Sequence, residues 1–326
     1  LKNTLKYILF LGLGAALLWF SFRNQNLLLL GESLKSANYY WVALSVLISL
    51  FAHWLRALRW KMLFEPIGYQ PKTTHTFYAV MIGYLANLAF PRMGEVSRCA
   101  VLNKTDNMPI STLIGTVVVE RIIDVIFLLG LGLFAILILY KEINVFVFEN
   151  FITPIFSKLN SAVDLIIPVI GIALVFGILF FLLRKKIKTW HITQKINAFT
   201  LSLKKGLLSV LQLKNRLRFF GLSVGIWACY LLATYLCFFA IPATSPLSLA
   251  VGLFVMVAGG IGMSAPVQGG IGAFEAAVSI SLLVFSIKEN DGLSYAAISH
   301  GSQILSILVV GSISLFFVFL IKRKQA

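Results

Sequence analysis

Of the 326 residues, 59% are hydrophobic and only 12% are charged, and several apolar runs approach the ~20 residues a helix needs to cross a hydrocarbon core. This composition argues against a soluble domain and predicts an all-α polytopic membrane protein. The net charge of +16 would suggest nucleic acid in a soluble chain. Here the basic residues lie between apolar runs, where they orient spans and contact anionic lipid, so membrane lipids with anionic headgroups are the expected partners and nucleic acid is not. Cys99, Cys229 and Cys237 lack paired ligand spacing, so no disulfide framework, zinc site or other cofactor is expected.

Lys2 and Lys6 precede an apolar run at 7–22, read as a membrane helix rather than a signal peptide because no small-x-small cleavage site follows. The span at 41–60 ends in His53, Arg56, Arg59 and Lys61, cations that most simply snorkel to a cytoplasmic interface. A ligand-facing role for Arg56 or Arg59 is the alternative. Residues 74–90 are apolar but short and contain Gly83 and Asn87, which suits a re-entrant segment.

Pro91-Arg92-Met93-Gly94-Glu95-Val96-Ser97-Arg98 follows directly. Pro91 disfavours helix at Phe90 and Gly94 tolerates unusual backbone angles, so the helix should stop, turn and restart. In lipid, a broken helix survives only where protein buries it or a wet cavity solvates it. The plainer reading is a cytoplasmic turn whose arginines face lipid phosphates.

Residues 110–140 are apolar except for Glu120, Arg121 and Asp124. One straight helix would measure about 46 Å, so either it projects beyond the ~30 Å core or it breaks near the triplet. Glu120 and Asp124 share one face, with Arg121 near enough to pair with Asp124, as an interfacial ion pair or as a polar lining beside the Pro91 turn.

A polar connection at 141–160 leads to a span at 163–183. Residues 184–218 carry ten Lys or Arg and no acid, which assigns this loop to the cytoplasm. Ile192, Ile196, Phe199, Leu203 and Leu207 lie at helical spacing within it, the pattern of an amphipathic helix on an anionic leaflet or, alternatively, of a docking helix for a soluble partner. Residues 219–240 form another span. The short glycine-rich run at 248–265 is interrupted at Pro266 to Glu275, and 276–287 is again short, which suggests a second re-entrant hairpin. A last span at 293–321 contains His300 and Gln303 and ends in Lys322, Arg323 and Lys324.

Laying Pro91 on Pro266 superposes Met81 on Met256 and Gly94 on Gly269, and the 41–60 span over the 219–240 span. With both hairpins entering and leaving on one side, each half crosses three times. All basic segments then lie in the cytoplasm, as do both termini. The expected architecture is a single integral membrane domain over 1–326, an inverted repeat with halves near 1–140 and 160–322, with about six full spans and two broken re-entrant hairpins.

The motifs Pro-x-x-Gly-Glu-x-x-Arg at Pro91 to Arg98, Glu-Arg-x-x-Asp at Glu120 to Asp124 and Gly-Gly-Ile-Gly-x-x-Glu at Gly269 to Glu275 resemble the membrane domain of lysylphosphatidylglycerol synthases and their flippase-like relatives. The resemblance covers nearly the whole chain. It implies a domain that moves an amphiphilic lipid, a phospholipid or a polyprenyl-phosphate-linked one, between leaflets of a bacterial inner membrane. It gives importance to Pro91, Gly94, Glu95 and Arg98, to Glu120, Arg121 and Asp124, and to Gly269, Gly270, Gly272 and Glu275. The sequence ends at Ala326, so a stand-alone member without the aminoacyl-transfer domain is expected, with no catalytic or metal-binding residues of its own.

In that mechanism Arg92 or Arg98 pairs with a phosphate, and amides freed near Gly94 and Gly269 to Gly272 donate to its oxygens. Glu95 and Glu275 meet an amine headgroup or exchange protons; alternatively they pair internally with Arg98 or Arg121. Two rival readings remain. One is an enzyme acting on a lipid-linked substrate, with a divalent metal on Glu120 and Asp124; the other is a scaffold, homo-oligomeric or not, that recruits a partner through the basic loop.

Overall fold

The computed structural model describes residues 27–153 and 213–325, and every regular element among them is helical. The expected spans at 7–22 and 163–183 and the basic segment at 184–212 lie outside the described residues. The chain divides into two compact units, Leu1–Leu139 with Val210–Ala326, and Tyr140–Ser209. In the second unit, α6 (Tyr140–Val147) runs into a π-helical turn at Phe148–Ile152, so this part of the expected polar connection is helical.

The first unit begins with α1 (Leu27–Ser36), a short helix not anticipated from sequence, followed by the long α2 (Tyr39–Met62). Asn38 starts α2 by accepting the Tyr40 amide at 3.1 Å, which satisfies one of the donors that a helix start leaves open. α3 (Thr73–Ala89) is short and stops where expected. Phe90 is extended at φ −138°, ψ 124°, because the proline ring at Pro91 crowds a helical residue before it. Arg92 takes φ 61°, and α4 (Gly94–Asp106) restarts the helix. The Gly94 amide, first of the new helix, donates to Asn87 Oδ1 at 2.7 Å across the break. Glycine is required at this crossing: a Cβ on Gly83 would stand 2.9 Å from the Gly94 carbonyl oxygen.

α5 (Ile110–Ile138) runs through the charged triplet without a break, because Glu120 and Asp124 are turned inward to partners. At ~1.5 Å per residue it measures ~44 Å, so it tilts in a ~30 Å core or projects from it. Its outer face is apolar, with Leu129, Leu133 and Leu137 exposed at one-turn intervals as lipid contact requires.

The second half repeats the order of lengths. α7 (Arg216–Phe238) is long, α8 (Leu249–Met263) is short, a broken segment contains a 3₁₀ turn at Gln268–Gly270, α9 (Ala273–Leu283) is short, and α10 (Glu289–Gln325) is long. Gly269, Gly270 and Gly272 all have positive φ, a region that costs a side chain energy. α2, α5, α7 and α10 are long and apolar enough to cross a membrane.

α2 and α7 pack antiparallel. The Asn38 amide donates to Ala240 O at 2.9 Å near one end, Ser45 Oγ donates to Ala233 O at 2.8 Å, and Arg59 Nη1 donates to Ser223 Oγ at 3.3 Å toward the other. The short helices are exchanged between halves. α3 packs on α10, where Gly311 admits Leu85 and Tyr78 stacks on Phe317, while α8 packs on α5, where Gly132 admits Val257 and Gly260 admits Leu128. Both exchanged pairs also run antiparallel. The two breaks touch, since Gly269 lies against Leu88 at the end of α3.

Candidate functional site

Two arginines one turn apart on α2 meet two carboxylates one turn apart on α5. Arg56 Nη1 stands 2.6 Å from Glu120 Oε1 and 2.8 Å from Asp124 Oδ2, and Arg59 Nη2 stands 2.7 Å from Asp124 Oδ1 and 3.5 Å from Glu120 Oε1. From α4, Arg98 Nη1 reaches Glu120 Oε2 at 2.9 Å and its guanidinium lies 4.4 Å over the Trp60 ring. Arg56, Arg59, Arg98 and Glu120 are each at most 5% exposed. The snorkelling expected of Arg56 and Arg59 is therefore corrected: both turn inward, because Glu120 and Asp124 would otherwise be bare carboxylates in an apolar bundle.

The network opens at one end. Arg121 Nη2 pairs with Glu95 Oε1 at 3.1 Å, and Asp124 Oδ2 is 3.9 Å from Arg121 Nη1. Glu95 thus takes the internal partner Arg121, joining the first hairpin to α5. Four guanidiniums face three carboxylates, which leaves one positive charge in excess.

This network forms one wall of a cavity of about 440 Å³. Arg56, Arg121, Asp124 and His53 supply its charged and polar wall; Val125, Leu128, Met256, Met263 and Phe274 supply its apolar side. Trp227 Nε1 on α7 and His53 Nδ1 also line it and are buried without a hydrogen-bond partner among the described residues. The indole N–H can only donate. Trp227 thus turns a hydrogen-bond donor toward the cavity.

The cavity also meets a second ionisable pair. Glu275, in the first turn of α9, accepts the Gly272 amide on Oε2 at 2.7 Å, and its Oε1 is 2.7 Å from Nδ1 of His300 on α10. His300 lines the cavity, and its Nε2 is 3.0 Å from Gly269 O in the second break. Glu275 therefore pairs with neither Arg98 nor Arg121, the internal partners considered from sequence.

Of the residues singled out from sequence, Arg121 and Asp124 line the cavity, with Glu95, Glu120 and Glu275 one contact behind and Arg98 behind Glu120. Pro91 and Pro266 mark the breaks, and Gly269, Gly270 and Gly272 shape the second. Arg92 is exposed outside the cavity lining. The amides of Gly94 and Gly272 already have partners in Asn87 and Glu275, and Arg98 is turned to Glu120, so these groups support the cavity. Sequence reasoning missed Tyr84, Trp227 and Tyr230, whose aromatic side chains look like lipid-facing residues in an apolar span; for Trp227 the only signal is its indole N–H.

Long apolar helices, two broken short-helix pairs meeting at their breaks and a cavity with charged residues in its lining define an integral membrane protein. The sequence profile described as Lysylphosphatidylglycerol synthase TM region matches residues 7–311, and the chain belongs to that family. It is 30% identical over 106 residues to the UPF0104 membrane protein MJ1595 of Methanocaldococcus jannaschii, a stretch covering 32% of either chain, so the match spans about a third of that relative's length. No solved structure matches.

Proposed function

We propose that the chain is a lipid flippase or transporter that passes an amphiphilic lipid between leaflets, its anionic headgroup in the chamber and its hydrocarbon in the bilayer. The observation that carries this reading is a mainly apolar cavity whose lining includes Arg56, Arg121 and Asp124, backed by a network in which four guanidiniums meet three carboxylates. A headgroup crossing the core sheds water and needs fixed polar partners in its place. Arg56, Arg121 and Trp227 supply donors at the chamber surface, and Glu120 with Asp124 holds the guanidiniums in place.

An inverted repeat with two re-entrant hairpins supports alternating access. The helices α2 and α7, which the Pro91-on-Pro266 register superposes, run antiparallel, as halves related by an axis in the membrane plane require. α3 opposes α10 and α8 opposes α5, so the hairpins enter from opposite faces. With the two further spans expected from sequence at 7–22 and 163–183, which lie outside the described residues, the reading is six crossings of the cell membrane and cytoplasmic termini. The reading as a metal-dependent enzyme on a lipid-linked substrate is less favoured, because guanidiniums occupy the oxygens of Glu120 and Asp124 that a divalent ion would need.

Mass spectrometry of lipids retained by the purified protein tests the headgroup assignment. An anionic lipid enriched over the bulk membrane is expected, with several-fold less retained by Trp227→Phe and Arg121→Ala. Retention of bulk lipid in bulk proportions, unchanged in both variants, would remove the headgroup site.

A further inference from the structure

We propose that Glu275 and His300 form a proton-binding site, with the proton as the ion that controls the second hairpin. The two hydrogen bonds of His300 count the protons that the pair holds. A carbonyl oxygen only accepts, so the 3.0 Å contact to Gly269 O requires a hydrogen on His300 Nε2. The 2.7 Å contact between His300 Nδ1 and Glu275 Oε1 requires one more, held on the imidazole or on the carboxyl. Glu275 Oε2 is already accepting from Gly272. The pair therefore binds one proton beyond a neutral imidazole and a free carboxylate.

Remove that proton and the contacts become incompatible. A neutral imidazole has a single N–H, which can go to Gly269 O or to Glu275. If it stays on Nε2, the Nδ1 lone pair faces a carboxylate at hydrogen-bond distance and that contact breaks. If it moves to Nδ1, the second break loses its anchor on α10. Gly269 also abuts Leu88, so release there reaches the point where the two hairpins meet.

The pair is in ion-pair contact with no other charged group among the described residues. α8 carries no ionisable side chain. The other ionisable groups of the chamber are His53 and Arg56 on α2, Tyr84 on α3, Arg121 and Asp124 on α5, Tyr230 on α7 and Tyr295 on α10. On α4, Glu95 and Arg98 are paired to Arg121 and Glu120, and on α1, which packs on α10, Glu32 and Lys35 are exposed. His300 also packs against Phe274, the rings tilted by 35° with centroids 4.6 Å apart. The first hairpin is joined to α5 by the pair of Arg121 and Glu95, whose side chains are 42% and 34% exposed. The contacts of the second hairpin to His300 thus require a proton, and coupling that proton to lipid movement follows if the chamber is a translocation site.

Hydrogen–deuterium exchange of residues 264–273 in the full-length protein in nanodiscs tests this without any lipid substrate. Protection is measured near pH 5.5 and near pH 8.5, either side of the ordinary histidine range, relative to an α7 peptide in the same sample. The wild type should lose about tenfold protection at the higher pH. Glu275→Gln should stay protected at both, because an amide donates to Nδ1 of a neutral imidazole while its oxygen keeps Gly272. His300→Gln should be pH-independent at any level of protection. Equal wild-type protection at both pH values, or an undiminished pH response in either variant, would overturn the proposal. Such a result leaves the flippase reading standing, and absence of lipid transfer leaves the proton site standing.

Discussion

Tyr295 donates its hydroxyl hydrogen to the Thr234 carbonyl oxygen at 2.9 Å, and these positions are the second-half counterparts of Glu120 and Arg59 in the register that lays Pro91 on Pro266. The first half joins the same two places with charge, Arg59 Nη2 to Glu120 Oε1 at 3.5 Å. A neutral hydrogen bond thus suffices to hold a long helix to its partner here. The first half buries charge at the place where the second uses a neutral hydrogen bond.

Glu120 anchors three arginines, so removing its charge strands them. Glu120→Gln should destabilise the detergent-solubilised protein by about 3–5 kcal/mol in thermal or denaturant unfolding. Pairing Glu120→Ala with Arg98→Ala should cost clearly less than the sum of the single changes. Additive losses would mean that the 2.9 Å contact carries no coupling.

The meeting of the two breaks rests on Gly269. A Cβ there would stand 2.6 Å from Leu88 Cδ2, and the residue holds φ 57°. Gly269→Ala should lower stability by about 1–3 kcal/mol through strain and overlap. Adding Leu88→Ala should recover the overlap part alone. No recovery would show that the backbone angle accounts for the whole loss.

Topology is open to a labelling test. Gln70, between α2 and α3, and Lys288, between α9 and α10, are both exposed and lie at opposite faces in the inverted arrangement. Gln70→Cys should react with an impermeant maleimide only from inside and Lys288→Cys only from outside. The native cysteines are buried. Labelling of both from one side would contradict opposed hairpins.

Much of this arrangement is legible in the sequence because its cause is local. Pro91 crowds Phe90, and the glycines at 269, 270 and 272 permit positive φ, so both breaks can be read without coordinates. The charged wall was half legible. Arg56 and Arg59 sit near the end of an apolar span, where snorkelling is the local expectation, and only the depth of Glu120 and Asp124 on another helix turns them inward. A complementary spacing, two cations one turn apart and two acids one turn apart, was the available signal. His300 was visible as a histidine in an apolar span, but its pairing with Glu275 depends on how α9 folds back onto α10. The continuity of α5 was illegible for the same reason, since only tertiary partners make its charged triplet tolerable.

The most direct measurement follows a fluorescent lipid across vesicles of phosphatidylcholine and phosphatidylglycerol that contain the purified protein, with chain-labelled phosphatidylglycerol and polyprenyl phosphate as probes and an impermeant quencher outside. With the wild type, inner-leaflet label should become quenchable well above the protein-free rate. Glu95→Gln and Glu275→Gln should each abolish this while expressing normally. Transfer at the wild-type rate with both acids neutralised, or no transfer of either probe above protein-free vesicles, would contradict the chamber as a lipid path.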